Sequence, residues 1–478
     1  MHIGIIGFGV VGKSACKFLR TPLGQVWGKN STKISVYDNR EYSSQDRDLL
    51  LSLNIEGIWG DKKILSSFIE SCELLIASPG VDLSEFSRYA HKILSELSIF
   101  SQFWQKKTLA ITGSLGKTTV TKLLGALVSS ATKERVIVGG NIGTGMLDLL
   151  QDRDLYDRAV LELSSFQLSY FSHFAPDVAI ILNCYKNHLD RHKTFENYYD
   201  SKLNIIRAQR EGQWTLLGSS LFMGKLGDLT RQALACSNSH LCIIWEEILS
   251  PDKLKEIIIS LGLPREKFSL FFVYNKTLFH ASISDRKVLS CDSLVFLANL
   301  PDVTFEINWV FVLSTLFVLG GDIKSIFNKL ITKEIPLDFD RHHRVELIAQ
   351  INSVDFYNDS KSTVIQATQA AVTQLSQYNR PLIIILGGLG KGVDRSSLTS
   401  FLLSNKLVKK FYCFGPECEV FGPECKILNT LEDILLDIKK IMSTGDIVLF
   451  SPSGTSFDFF KNYEHRGDIF CNLVCTLI

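Results

Sequence analysis

The sequence predicts an α/β protein of three domains: an N-terminal Rossmann-like unit, a central P-loop-type unit with a mixed sheet, and a C-terminal Rossmann-like unit. Three observations predict it. Apolar residues 2–6 run into Gly7, Gly9 and Gly12, the G-x-G-x-x-G spacing of a strand, a tight turn and a helix. Leu109-Ala110-Ile111 run into Gly113-Ser114-Leu115-Gly116-Lys117-Thr118-Thr119 and then into an amphipathic stretch, a second strand, glycine turn and helix start. Beyond residue 340, the strand-like runs 354–357 and 382–386 flank a helical stretch, and the alternation continues to the end of the chain. A length of 478 residues, at about 150 per domain, agrees with three.

Composition excludes several classes. Hydrophobic residues at 46% and charged residues at 21% belong to a globular chain with large cores. A net charge of +1 leaves no overall basic field for nucleic acid. The longest apolar run, 309–319, is too short to span a bilayer, and the N-terminus lacks the basic region of a signal peptide, so no membrane partner is expected. Eleven scattered cysteines with no C-x-x-C pair suggest neither a disulfide framework nor a zinc site, and fit a reducing cytoplasm. The near-repeat Gly415-Pro416-Glu417-Cys418 and Gly422-Pro423-Glu424-Cys425 reads as turns flanking a short strand.

Taken in order, the elements place polar residues at strand ends, where ligands of α/β sheets bind. A second strand, 34–37, ends at Asp38-Asn39, and a third, 74–77, runs into Ser78-Pro79-Gly80. A domain boundary is expected between 103 and 107. The loop that follows suits an anion: glycines let backbone N–H groups close around it, the helix N-terminus adds its positive end, and Lys117 answers outer phosphates. A hydroxyl such as that of Thr118 can ligate magnesium. The loop departs from the full G-x-x-x-x-G-K-[ST] spacing, because Ile111 stands at the first glycine.

Glu162 closes the strand 159–163 and begins Glu162-Leu163-Ser164-Ser165-Phe166-Gln167, a set that serves equally as a metal site or a helix cap. The strand 178–182 leads into Asn183-Cys184-Tyr185-Lys186-Asn187-His188, with Lys202 further on. Residues 215–300 show strands at 241–245 and 270–273 and no chemistry, and 305–319 reads as a buried helix. The last third carries His343-Arg344-Val345-Glu346, then Asn358-Asp359-Ser360-Lys361-Ser362-Thr363, then Gly387-Gly388-Leu389-Gly390-Lys391-Gly392. It ends with Ser451-Pro452-Ser453-Gly454-Thr455-Ser456-Phe457-Asp458 and Phe460 to Gly467, which includes Tyr463.

These motifs, in this order and over nearly the whole chain, resemble the Mur ligase family, the ATP-dependent amide ligases that build the peptide of peptidoglycan. The resemblance implies a UDP-substrate-binding domain at 1–104, an ATP-binding domain at 105–340 and an amino-acid-binding domain at 341–478. ATP would lie on Gly113, Ser114, Leu115, Gly116, Lys117, Thr118 and Thr119, with Asn308, Arg344 and Asp359. Two magnesium ions would be held by Thr118, Glu162, His188 and a carbamylated Lys202. Lys117, His188, Lys202 and Lys361 would carry catalysis. The substrates would be met by Gly12, Asp38, Asn39, Ser78, Pro79, Gly80, Asn141, Ser165 and Gln167, and by Lys361, Thr363, Lys391, Ser456, Phe457 and Tyr463.

The absence of a D-N-P-R motif favours D-glutamate as the incoming amino acid; the resemblance implies UDP-N-acetylmuramoyl-L-alanine as its acceptor and a cytoplasmic monomer. The chain departs from the family pattern at Leu115 (usually Asn), Asn187 (usually Asp), His342 (usually Pro) and Thr304-Phe305-Glu306-Ile307-Asn308, where H-N-x-x-N keeps only its last residue. These changes predict weaker ATP binding. Alternatives are a related amide ligase for another amino acid, a nicotinamide-binding oxidoreductase built on Gly7, Gly9 and Gly12, and a non-catalytic nucleotide-binding descendant.

Overall fold

Parallel strands joined by helices leave their carboxyl ends on one edge of a sheet, and the three sheets among the described residues are built mainly in that way, with antiparallel strands added at the margin of two of them. The structure is a computed structural model that describes residues 1–28, 33–169, 174–263, 267–301, 303, 305–337 and 342–478. The expected boundary at 340/341 and Thr304 lie outside those residues. The chain forms two units: one of Met1–Cys184, Tyr199–Pro301 and Ile307–Leu337, the other chiefly of Tyr185–Tyr198 and the chain from residue 342 onward.

In the first unit, β1 (His2–Ile6), β2 (Lys33–Asp38), β3 (Glu56–Trp59), β4 (Leu74–Ala77) and β5 (Ile93–Ser95) make a parallel sheet in the order β3-β2-β1-β4-β5. The glycines after β1 explain its tight exit. Gly7 has φ +88°, a conformation L side chains rarely adopt, and a Cβ on Gly12 would lie 2.0 Å from the Gly7 carbonyl oxygen. Gly12 therefore seats the helix Val10–Leu19 on the turn.

The second sheet of this unit holds β6 (Lys107–Thr112), β7 (Val136–Gly140), β8 (Arg158–Glu162), β9 (Val178–Ile181), β10 (Trp214–Gly218), β11 (His240–Ile248), β12 (Lys267–Tyr274), β13 (Thr277–Ser284) and β14 (Lys287–Phe296). Its order is β14-β13-β12-β11-β10-β9-β6-β8-β7. Strands β6 to β12 pair in parallel; β13 and β14 add as antiparallel neighbours, so the sheet is mixed as expected. Every residue of β8 and β9 is buried, which is the continuous apolar pattern of a sheet covered on both faces. The apolar helix Ile307–Val318 is one such cover, as the sequence predicts.

The second unit folds on β15 (Glu346–Ile351), β16 (Val354–Asn358), β17 (Leu382–Gly387), β18 (Val408–Phe414), β19 (Lys426–Ile427) and β20 (Ile447–Phe450), in the order β15-β16-β20-β17-β18-β19. Two apolar clusters pack the faces of this sheet, one around Ile384, Leu386 and Leu449, the other around Ile383, Ile385 and Val448. The alternation of those numbers is the two-residue period of a strand.

Two details differ from the sequence reading. The segment between the Gly-Pro-Glu-Cys repeats is a 3₁₀ helix, Cys418–Phe421, not a strand: it buries Phe421 and ends at Gly422, φ +76°. Cys413 and Cys418 are joined as a disulfide, where no disulfide was expected; the turn after β18 brings their Cα atoms to 5.6 Å, and the other nine cysteines are free. Among the described residues, no helix is long and apolar enough to cross a membrane.

Gly12→Ala is expected to lower stability by about 1–3 kcal/mol through overpacking. Gly9→Ala, whose Cβ would meet nothing within 4 Å, should leave it nearly unchanged in the same urea titration.

Candidate active site

The exit of β6 places the phosphate-binding loop at the carboxyl edge of the mixed sheet. Gly113 (φ +152°) and Gly116 (φ +84°) turn the chain, and the helix Lys117–Thr132 then begins with no side chain capping its first N–H groups. Thr118 and Thr119 stand in that first turn. The loop is braced from β9's exit: the Asn183 side-chain oxygen accepts from Ser114 N–H (3.1 Å) and Leu115 N–H (2.9 Å), and its amide donates to the Leu115 carbonyl (3.1 Å). Asn308 is buried against Gly116; a Cβ there would lie 2.5 Å from the Asn308 side-chain oxygen, and the Asn308 Nδ2 makes no hydrogen bond.

Beside the loop, Glu162 ends β8 in register with Ile111 of β6. One carboxylate oxygen accepts from Asn141 Nδ2 at 2.9 Å, and the other is buried without a partner. Lys202, only 1% exposed, points its amine to the Gly113 carbonyl at 3.0 Å and the Thr112 hydroxyl at 3.4 Å. Burial, reinforced by Lys117, brings the Lys202 amine down to about 7. An orphaned buried carboxylate oxygen and a near-neutral buried amine on one sheet edge fit a divalent cation and a lysine carbamate. Lys117 itself reaches the Ser114 carbonyl at 3.3 Å.

Some expected substrate residues have structural duties here. The Gln167 side-chain oxygen accepts from Ser164 N–H (2.9 Å) and Ser164 Oγ donates to it (3.0 Å), a cap on the short helix Ser165–Ser169. Asn141 begins the loop after β7, held through its own N–H to the Glu162 carbonyl at 2.8 Å. The far end of that loop rests on Glu96, whose carboxylate accepts from Leu147 N–H at 3.3 Å and is raised by burial to about 7.

A separate cavity of about 900 Å³ opens over the first sheet, lined by Gly7, Gly9, Asp38, Asn39, Ser78, Pro79 and Gly80. Gly12 is not among its walls. Asp38 accepts from Phe8 N–H at 2.7 Å; against the upward push of burial, the Arg40 side chain and these N–H groups hold the carboxyl below its usual range. Ser78 Oγ donates to the Gly7 carbonyl at 2.9 Å, tying the ends of β1 and β4.

In the second unit, Asn358 to Lys361 leave β16, Gly387 to Gly392 leave β17, and Ser451 to Ser456 leave β20. Asp359 is buried at this edge, bonded by Ser451 Oγ at 2.7 Å and pushed up by burial to about 7, with Arg344 favouring its charged form. The Lys361 amine lies 4.7 Å from the centre of the Tyr463 ring. Lys391, φ +54°, comes within 3.5 Å of His188 Nε2, and the backbone N–H of His188, φ +54°, donates to the Asn187 side-chain oxygen at 2.9 Å. Ser456 is buried, while Phe457 is 70% exposed.

Two arginines absent from the predicted set tie these turns together. Arg395 donates to the Gly387 and Gly388 carbonyls (2.7 and 2.9 Å), and Arg466 to the Gly454 and Ser360 carbonyls (3.0 and 2.6 Å). Asn183 and Glu96 act on backbone groups far away in sequence, as Arg466 does on Ser360, while Arg395 serves carbonyls seven and eight residues before it. Asn183, at the head of the run after its strand, and the arginine of the R-G motif left a mark in the sequence; Glu96 and Arg395 left none.

Comparison with known proteins agrees with this geometry. Residues 111–220 match the Mur ligase middle domain. The UDP-N-acetylmuramoylalanine–D-glutamate ligase of Koribacter versatilis is 30% identical over 98% of this chain and 96% of its own, and that of a Thermoanaerobacter species 31% over 99% and 98%. Among solved structures, the MurF ligase of Thermotoga maritima in complex with ADP superposes with a TM-score of 0.55 at 17% identity, covering 93% of this chain and 96% of that one. The UDP-N-acetylmuramate-alanine ligase MurC of the same organism reaches 0.52 at 15%, covering 100% and 99%. With relatives this similar over its full length, the chain belongs to the Mur ligase family, in the company of the UDP-N-acetylmuramoylalanine–D-glutamate ligases.

Proposed function

We infer that this protein is an ATP-dependent ligase that joins D-glutamate to UDP-N-acetylmuramoyl-L-alanine in peptidoglycan precursor synthesis, releasing ADP and phosphate. The observation that carries the reading is the cluster of Glu162, Lys202 and the glycine loop on one sheet edge, in a chain whose relatives bear that name. The same reading takes 1–104 as the UDP-substrate domain, 105–340 as the ATP domain and 341–478 as the amino-acid domain. On this reading the reaction takes place in the cytoplasm, where its nucleotide substrates are made, and the working form is a monomer.

A carboxylate is a poor electrophile, so its oxygen must become a leaving group before an amine can displace it. The terminal phosphoryl group of ATP passes to the alanyl carboxylate oxygen as its bond to ADP breaks. The D-glutamate nitrogen then attacks the acyl carbon, and phosphate leaves with the shared oxygen as the amine loses a proton. Lys117 and the N–H groups of the helix start, which no side chain caps, balance charge on the transferring group. Glu162, Thr118 and carbamylated Lys202 would hold magnesium, with His188 as a further ligand. Magnesium, when bound, neutralises phosphate charge. Asn141 keeps the Glu162 carboxylate turned so that its unpartnered oxygen stays available.

Asn308, Arg344 and Asp359 would hold the nucleotide; the buried, unbonded Asn308 amide is a donor awaiting an acceptor. Gly12, Asp38, Asn39, Ser78, Pro79, Gly80, Asn141, Ser165 and Gln167 would position the UDP-substrate. Lys361, Thr363, Lys391, Ser456, Phe457 and Tyr463 would position D-glutamate, the lysines meeting its carboxylates.

Phosphate release from ATP should require both UDP-N-acetylmuramoyl-L-alanine and D-glutamate, should not occur with L-glutamate, and should vanish in Lys117→Ala. Release independent of the amino acid would refute the ligase reading. With its amine lowered from 10.5 to about 7, Lys202 is increasingly neutral above that pH, and only the neutral amine adds carbon dioxide. Labelled bicarbonate should therefore give a carbamate ¹³C resonance above pH 7 that fades as the amine is protonated below it, and that Lys202→Ala lacks throughout.

A further inference from the structure

The connection that enters the third sheet carries a cluster that the ligase reading does not use. His342 and His343 stand side by side, their ring centres 3.8 Å apart. His343 (φ +60°) and Val345 (φ +45°) both take left-handed backbone conformations, unusual for bulky residues and held only where the surroundings insist. Glu346 supplies part of that hold by accepting from His343 N–H at 2.8 Å, and Asp359 accepts from Val345 N–H at 3.3 Å. The C-terminal helix, Tyr463–Leu477, receives the His343 ring at Gly467, where a Cβ would lie 2.1 Å from Nδ1.

The next residue on that helix, Asp468, faces both rings. Its Oδ1 lies 3.5 Å from His343 Nε2 and 3.7 Å from His342 Nε2, and one ligating atom from each of the three residues falls within 4.8 Å of the others. Zinc bonds of about 2.0–2.1 Å in a tetrahedron separate ligand atoms by roughly 3.4 Å, close to both carboxylate distances. A second observation is independent of the clustering: His343 is 1% exposed, and its Nε2, aimed into the cluster, has no hydrogen-bond partner. His342 Nδ1 sits 3.2 Å from the Glu346 carboxylate, the arrangement that orients a metal-binding imidazole and leaves Nε2 for the ion. Two imidazoles and one carboxylate suit zinc, cobalt or nickel better than magnesium, which prefers oxygen alone.

We propose that His342, His343 and Asp468 form a binding site for a divalent first-row transition ion of the zinc class, with Glu346 orienting His342. The site stands on the second unit alone and does not depend on the ligase reading. It also has a consequence for a neighbouring turn. His343 Nδ1 lies 2.8 Å from the side-chain amide of Asn358, and coordination through Nε2 moves the ring proton to Nδ1. Asn358 then turns its oxygen toward the ring, and Ser360 N–H, which donates to that oxygen at 3.0 Å, must release it. Occupation is thereby linked to the turn that bears Asp359 and Lys361.

The test titrates the full-length protein with zinc against a chromophoric chelator in excess magnesium, beside His342→Ala and Asp468→Asn. Both substitutions alter exposed side chains, so melting in chelator should match the parent. The expected result is one zinc bound by the parent, with affinity at least about tenfold weaker in each variant. Cobalt should give the parent an intense visible band that Asp468→Asn lacks. A parent that binds no zinc would overturn the proposal. So would variants that bind as the parent does, since the metal would then sit elsewhere, on Cys236, Cys291 or Cys475 or beside Glu162.

Discussion

An amine held in dry protein directly beneath an anion-binding loop is the constraint on which the first unit turns. A charged lysine would be costly there, and the protein resolves it by bringing Lys202 close to neutrality and giving it two oxygen partners from the β6 exit. That arrangement dictates what surrounds it. The carbonyl of Gly113 faces inward to accept from that amine, and the loop turns on the positive φ of Gly113 and Gly116. Glu162, one strand over, then has a reason to keep one oxygen unbonded.

The second unit solves a related problem with cations. Its three strand-end turns contain carbonyls that face away from solvent, and two buried guanidinium groups collect them. Arg395 serves the turn after β17; Arg466, lowered by burial to about 10, joins the turns after β16 and β20. A guanidinium presents five donors in a fixed plane, so each arginine sets several carbonyl positions at once. The turns that would hold nucleotide and amino acid are therefore cross-braced by groups that never need to touch a ligand.

Much of this was legible in the chain. Glycines at 7, 113 and 116 announced positive-φ turns, and apolar runs located β1, β4, β6, β8, β9, β16 and β17 to within a residue or two. The strand-end positions of Glu162, Asp359 and Lys361 followed from those runs. The hairpin of β13 and β14 escaped notice, because β14 is largely exposed and its polar sequence carries no apolar alternation. The contacts of Asn183, Glu96, Asn141 and Arg395 were equally hidden. The first three depend on a side chain meeting a backbone group or carboxylate brought near by the completed sheets, and Arg395 on the curl of the turn after β17; no local pattern records such a meeting. Gln167, which the sequence assigns to a substrate, also caps the helix that follows Ser164, a duty open to a glutamine three positions after a serine.

The bracing of the phosphate loop by Asn183 has a consequence for the residue that most visibly departs from the family pattern. Asn183 grips the main chain at Ser114 and Leu115, two donors and one acceptor, and none of those bonds involves the Leu115 side chain. The loop's curvature is thus guaranteed from a neighbouring strand. Position 115 is decoupled from the geometry it sits in, and a leucine there can alter what a nucleotide touches without altering the shape of the cradle that receives it.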